Sequence, residues 1–244
     1  MSGFKLTWRL GPHMWLNDQK WQDYMNLITR HDDVADEVAF FFSDDTYLDC
    51  TPLEDTQRQA DIFARLSKDI RALGSTVGIN VWPTFDLYEN RRKYYKDMPR
   101  MVGKNGEILD GIACPSSEEF LSYIREKYLI MAKSKPDFIW VDDDCRFTHL
   151  ANDGYPCFCD NCISKFQGGR FKSREELVEA LNKPENRELR IAWSSYGADR
   201  LAHFCEVVRA AVDEVDPNID TPFMSVGATH TTYAGDYIDK CMKA

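Results

Sequence analysis

The stretch Phe138–Cys162, FIWVDDDCRFTHLANDGYPCFCDNC, decides how the rest of the chain is read. It opens on four apolar residues, Phe138 to Val141. It then presents three consecutive carboxylates, Asp142, Asp143 and Asp144. A polar loop follows and closes on Cys157, Cys159 and Cys162. A short apolar run ending abruptly in acids is the pattern of a buried strand that delivers polar groups at its C-terminal end. Three thiols so close together on one loop suggest a metal clip.

Outward from this stretch, other short apolar runs alternate with helical stripes. Phe4–Leu10 reads as a first strand and Gly11-Pro12 breaks it. Trp21, Met25 and Ile28 recur at helical spacing. Val38–Phe42 is a second strand. Ile62, Leu66 and Ile70 mark the next helix, with Gly74 at its C-terminal cap. Val77–Trp82 is a third strand. Asp86 to Ala113 reads as a long irregular section with a turn at Gly103-Lys104-Asn105-Gly106. Ser116 with Glu119, and Ser173 with Glu176, form two capping boxes. Phe120, Ile124 and Tyr128 make one helical stripe; Leu201, Phe204, Val208 and Val212 make another. Phe223–Val226 reads as a fifth strand, counting Phe138–Val141 as the fourth.

Strands each followed by a helix imply a parallel α/β architecture. There is no GxGxxG after the first strand and no GxxxxGK[ST], so nothing supports a nucleotide fold. The expected fold is a single (β/α) TIM-type barrel domain over residues 1–244. It is incomplete, with about five of the eight βα units of a full barrel. Functional groups in such folds gather at the C-terminal strand ends. The residues expected to bind substrate there are Trp8, Arg9, Asp45, Trp82, Asp142, Asp143 and His230.

The bulk composition fits an ordinary globular chain: 244 residues, 43% hydrophobic and 29% charged. The net charge of −10 argues against a duplex-binding surface, which needs clustered Lys and Arg. No apolar run approaches the roughly 20 residues that span a bilayer, so no membrane partner is expected. The N-terminus lacks the apolar core of a secretory signal, which makes a cytoplasmic location the expectation. A homo-oligomer is left open.

Cys157, Cys159 and Cys162 need a fourth ligand for tetrahedral zinc. Cys114 and Cys145 are candidates, with His149 behind them, and Cys114 is favoured because it sits between a loop and a helix start. Four cysteine ligands leave no open coordination position, which makes such a zinc structural. Asp142 and Asp144 fall on one side of the strand by alternation, and Asp143 on the other. Crowded acids of this kind suit a proton donor in glycoside hydrolysis. A structural cap involving Arg146 and a divalent-cation site are the alternatives.

Cys114-Pro115-Ser116-Ser117-Glu118-Glu119-Phe120, then Phe138–Asp144, then Cys157–Cys162 followed by Phe166, resembles the middle of the family 42 β-galactosidases and related barrel glycoside hydrolases. That family carries a Cys-Pro-Asn-Ser segment, a strand ending in Asp-Asn-Glu and a Cys-x-Cys-x-x-Cys loop in this order. The resemblance covers about Cys114–Phe166. It implies zinc on Cys114, Cys157, Cys159 and Cys162, and a glycosidase acting on a carbohydrate substrate. The family's Asn-Glu pair, in which Glu is the acid/base, falls on Asp143-Asp144, so Asp144 is the expected catalytic acid. The family nucleophile follows a later strand, and no position of this chain is expected to supply it. A non-catalytic carbohydrate-binding or structural barrel relative is the alternative.

Overall fold

A computed structural model describes residues 4–31, 34–43, 52–82, 84, 98–142, 145, 155–224 and 238–244. The chain divides into two compact units. The first comprises residues 1–84, 126–142 and 210–224; the second comprises 85–125, 143–209 and 225–244.

The first unit is built on a parallel sheet: β1 (Thr7–Leu10), β2 (Glu37–Phe42), β3 (Thr76–Val81) and, after two strands of the second unit, β6 (Phe138–Val141), in the order β1-β2-β3-β6. Residues 220–224 extend it, with parallel bridges Phe138–Asp220 and Val141–Phe223. The Ile139 and Val141 amides donate to the Asp220 and Pro222 carbonyls at 2.8 and 3.0 Å. Pairing there starts earlier than the apolar run beginning at Phe223 suggested, because backbone bonding does not require apolar side chains. This is an α/β fold with a partial TIM-type barrel.

Helices follow the strands. Pro12–Trp15 forms a short α1, with Pro12 at its first turn, where a missing N–H costs nothing. The Asn17 side chain accepts from the Lys20 amide at 3.0 Å and caps α2 (Asp18–Ile28). α3 (Leu53–Ala72) buries Ala60, Phe63, Leu66 and Ile70, and Gly74 follows it at φ +87° as its sequence position implied.

Strand alternation gives the sheet two distinct faces. Phe40 and Phe42 face the helices. Trp15 packs on both at 5.5 and 5.6 Å, and Phe63 on both at 5.1 and 6.0 Å. The opposite face carries Arg9, Phe41, Gly78, Asn80, Phe138, Trp140 and Asp142. Gly78 is required there by close approach: a Cβ would lie 2.3 Å from the Phe138 ring. Gly78→Ala is therefore expected to destabilise the fold by about 1–3 kcal/mol through overpacking. Chemical denaturation would check this, and adding Phe138→Leu should recover part of the loss.

The second unit holds an antiparallel hairpin, β4 (Arg100–Val102) and β5 (Ile108–Ala113), inside the section expected to be irregular. Its turn is the expected Gly103–Gly106 segment: the Gly103 amide donates to Glu107 O at 2.8 Å, and Gly106 adopts φ +91°. α4 (Glu118–Lys133) begins one residue later than the first capping box placed it. Ser117, not Ser116, accepts the Phe120 amide at 3.1 Å, and Ser117 Oγ donates to Glu119 at 2.8 Å. The second box holds at Ser173, which accepts the Glu176 amide at 3.2 Å; the Glu176 carboxylate in turn takes the Lys172 amide at 2.7 Å. This starts α6 (Arg174–Asn182), which follows α5 (Asp160–Lys165) and a 3₁₀ turn, Phe166–Gly168. The long α7 (Arg187–Asp213) follows. Phe158, Phe166, Trp193 and Tyr196 form an aromatic core, with Trp193 4.8 Å from Phe166 and 5.1 Å from Phe158.

Candidate functional site

Among the described residues two side-chain clusters carry chemistry, one in each unit. The first lies at the C-terminal ends of β1, β3 and β6. Asp142 is 3% exposed and follows the last residue of β6. Its Oδ2 accepts from Arg9 Nη2 at 3.0 Å and from Asn80 Nδ2 at 2.6 Å. Asn80 Oδ1 in turn accepts from Arg9 Nε at 2.9 Å. The three residues thus close a ring of hydrogen bonds across three strands. The buried carboxylate faces a cation and an amide donor, which is what a buried charge requires. The Arg9 guanidinium lies 4.4 Å from the Phe41 ring centroid and 6.0 Å from that of Trp140. Its side chain stays 37% exposed. The cluster therefore presents a held, partly solvated guanidinium beside half-buried aromatic rings.

Arg9 and Asp142 are brought together as two strand-end residues should be. Trp8 stands on the other face, where its ring meets Tyr24 edge-on at 5.7 Å. Trp82 is half-buried just past β3, its amide 3.4 Å from Phe42 O. Asp45, Asp143, Asp144 and His230 lie outside the described residues, as does His149. Asn80 was not singled out from sequence. Its one signal was a lone amide inside the apolar run Val77–Val81.

The second cluster is Cys114, Cys157, Cys159 and Cys162, whose sulfurs all lie within 4.8 Å of one another. Cys114 comes from the end of β5, its amide donating to Pro99 O at 3.0 Å. Cys157 and Cys159 come from the loop that enters α5, and Cys162 from the first turn of that helix. That loop is pinned to the hairpin by the Phe158 amide on Val102 O at 2.8 Å. The Asn161 side chain also donates to Ser116 O at 2.9 Å. Cys145 is buried too but is not one of the group.

The spacing fits a tetrahedral ion. Metal–sulfur bonds of about 2.3 Å place the sulfurs about 3.8 Å apart along each tetrahedral edge. Cys114 Sγ lies 3.8 Å from Cys159 Sγ and 3.7 Å from Cys162 Sγ. Cys157 Sγ accepts from the Val102 and Cys159 amides at 3.3 and 3.4 Å, bonds that favour a thiolate. The Cys159 thiol is held well below its ordinary range by its bonds with Cys114, Cys157 and Cys162. Cys157 is pushed up by its bonds with Cys114, Cys159 and Cys162 and by burial. A cation held among the four sulfurs would favour their thiolate form.

No protein-family profile matches the sequence, and no curated protein does. Solved structures do. The chain is similar to a β-galactosidase from Bacillus circulans sp. alkalophilus (TM-score 0.60, 16% identity) over 91% of this chain and 37% of that one. It is similar to a catalytic mutant of a GH42 β-galactosidase from G. stearothermophilus (TM-score 0.60, 14% identity), over 93% and 36%. An α-L-fucosidase from Paenibacillus thiaminolyticus matches at TM-score 0.58 and 12% identity, over 91% and 32%. The chain spans about a third of the length of these enzymes. At such identities the likeness is one of fold: this chain shares with these enzymes a partial TIM-type barrel.

Proposed function

We propose that this chain is part of a glycoside hydrolase acting on a carbohydrate, with Asp144 as the acid/base and the four cysteines holding a structural zinc. The observation that carries the reading is the glycosidase-type barrel combined with the Arg9–Asn80–Asp142 ring at the strand end that leads into Asp143 and Asp144. Asp142 is committed to Arg9 and Asn80. That commitment leaves Asp144, which the resemblance aligns with the acid/base of the similar family, as the proton donor. Arg9 and the rings of Phe41 and Trp140 suit a sugar, whose hydroxyls take donors and whose C–H faces stack on aromatics. The ion would be closed to substrate by its four thiolates, so it would shape the loop without taking part in bond cleavage.

The test is turnover of a panel of nitrophenyl glycosides by the protein that carries this chain. Asp144→Ala should lower kcat/KM on the best substrate by about 10²–10⁴, the range for loss of a general acid or base. Unchanged turnover would remove Asp144 from the mechanism. One observation favours a second reading, a carbohydrate-binding relative without chemistry: Asp143-Asp144 stands where the similar family has Asn-Glu, and Asp is a methylene shorter than Glu. Saturable glycan binding with no turnover of any panel member would select that reading.

A further inference from the structure

A groove of about 580 Å³ runs along α7 in the second unit, and none of the four clustered cysteines lines it. Its size lies in the range of small-molecule sites. One face of α7 supplies Arg187, Arg190, Ser194 and Ser195, at helical spacing; Tyr155 and Lys240 complete the polar lining. The charge balance is unlike that of the chain. The protein carries a net charge of −10, yet among the described residues this groove is lined by three cations and no carboxylate, with Glu188 and Asp199 pairing Arg187 and Lys240 from outside the lining.

Two of the cations are held in place. The Arg190 guanidinium donates to the carbonyls of Leu181, Lys183 and Pro184 at 2.8, 2.7 and 3.1 Å. These acceptors are neutral, so its charge is fixed in position without being cancelled. Lys240 Nζ donates to Ser195 Oγ at 3.0 Å and to Asp199 at 2.6 Å. Arg187 is 74% exposed and pairs with Glu188 at 3.2 Å, a contact weak enough in water to be exchanged for a better anion.

We propose that the groove binds a small phosphate monoester with a hydroxyl-bearing body, of the sugar phosphate class. The phosphate would lie against Arg187, Arg190 and Lys240. Its tetrahedral oxygens accept from several directions, as donors on α7 and at Lys240 require. The body would meet the Ser194 and Ser195 hydroxyls and the face of Tyr155. The proposal is independent of the hydrolase reading, since it uses no residue of the Arg9–Asn80–Asp142 ring.

Calorimetric titration of the protein with glucose 6-phosphate, inorganic phosphate and glucose tests it. Glucose 6-phosphate should bind saturably and more weakly as salt rises. Glucose alone should not bind in the groove. Arg187→Gln with Lys240→Gln should weaken glucose 6-phosphate binding by roughly tenfold or more, about 1.4 kcal/mol. The single variant Arg187→Gln, at an exposed side chain, should show part of that loss in a protein whose unfolding is unchanged. No saturable glucose 6-phosphate binding, or equal affinity in the double variant, would overturn the site. Inorganic phosphate binding as tightly as the ester would overturn the role given to the hydroxyls and Tyr155.

Discussion

Cys114→Ser is expected to abolish metal retention and to unfold the cysteine loop with its surroundings. The four sulfurs come from two segments far apart in sequence, and the ion would add four bonds to the hydrogen bonds that join them, among them Phe158 to Val102 and Asn161 to Ser116. Structural zinc on four such ligands contributes on the order of 10 kcal/mol of apparent binding energy. That matches the whole stability of an ordinary domain, so losing it cannot be absorbed. The variant would be left with Cys157 and Cys162 buried and Cys159 half-buried without the ion that joins them. Atomic emission should find one zinc per chain in the wild type and none in Cys114→Ser, with a large fall in the thermal midpoint of the second unit. Chelation of the wild type should mimic the variant. Cys205→Ala, at a buried cysteine outside the group, should keep the metal and lose only about 1–2 kcal/mol of packing. A wild type that purifies and folds without metal would dismiss the assignment.

The second large effect is expected at Arg9. Arg9→Met keeps the apolar stem over Phe41 but strips the buried Asp142 of its cation. Breaking a buried pair in this way costs about 3–5 kcal/mol; the partial exposure of Arg9 discounts this to about 2–3 kcal/mol. Asp142→Asn keeps the shape and a hydrogen-bonding oxygen and should cost less, about 1–2 kcal/mol. Combining Arg9→Met with Asp142→Leu should cost less than the sum of the two single changes, because the second change removes the stranded charge. Urea unfolding of the wild type, Arg9→Met, Asp142→Leu and the double variant completes the cycle. Strict additivity would mean that the ion pair seen at 3.0 Å carries no coupling energy.

β2 and β6 were legible as short apolar runs ending in polar residues, and β1 and β3 as apolar stretches cut off by Gly11-Pro12 and Pro83. Their alternation with helices implied the parallel sheet and the barrel class. The β4–β5 hairpin was not legible. Its two arms are short, and Arg100, Lys104, Asn105 and Glu107 around the turn mask any period of two, although the glycines marked the turn itself. The start of α4 was misplaced because Ser116-Ser117-Glu118-Glu119 offers two serines, each with a glutamate downstream. Only the direction of the Phe120 amide decides between them. At the cysteine cluster, spacing supplied three of the clustered sulfurs and position the fourth. At the strand-end cluster, Arg9 and Asp142 stood out as polar groups ending apolar runs. Asn80 did not, because its meaning depends on which strands lie beside β3. Sequence order does not reveal that β6 is the neighbour on one side.

The Arg9–Asp142 bond joins positions 133 residues apart. In kinetic terms, it cannot form until β1, β3 and β6 are already aligned, so it belongs to the last stage of assembly. Its energy is therefore absent from the folding barrier and present in the barrier to unfolding. Weakening it should leave the refolding rate nearly unchanged and shorten the lifetime of the folded sheet. The ring at the strand ends thus acts as a latch on a slowly assembled parallel topology, holding the same strand that leads into the candidate acid.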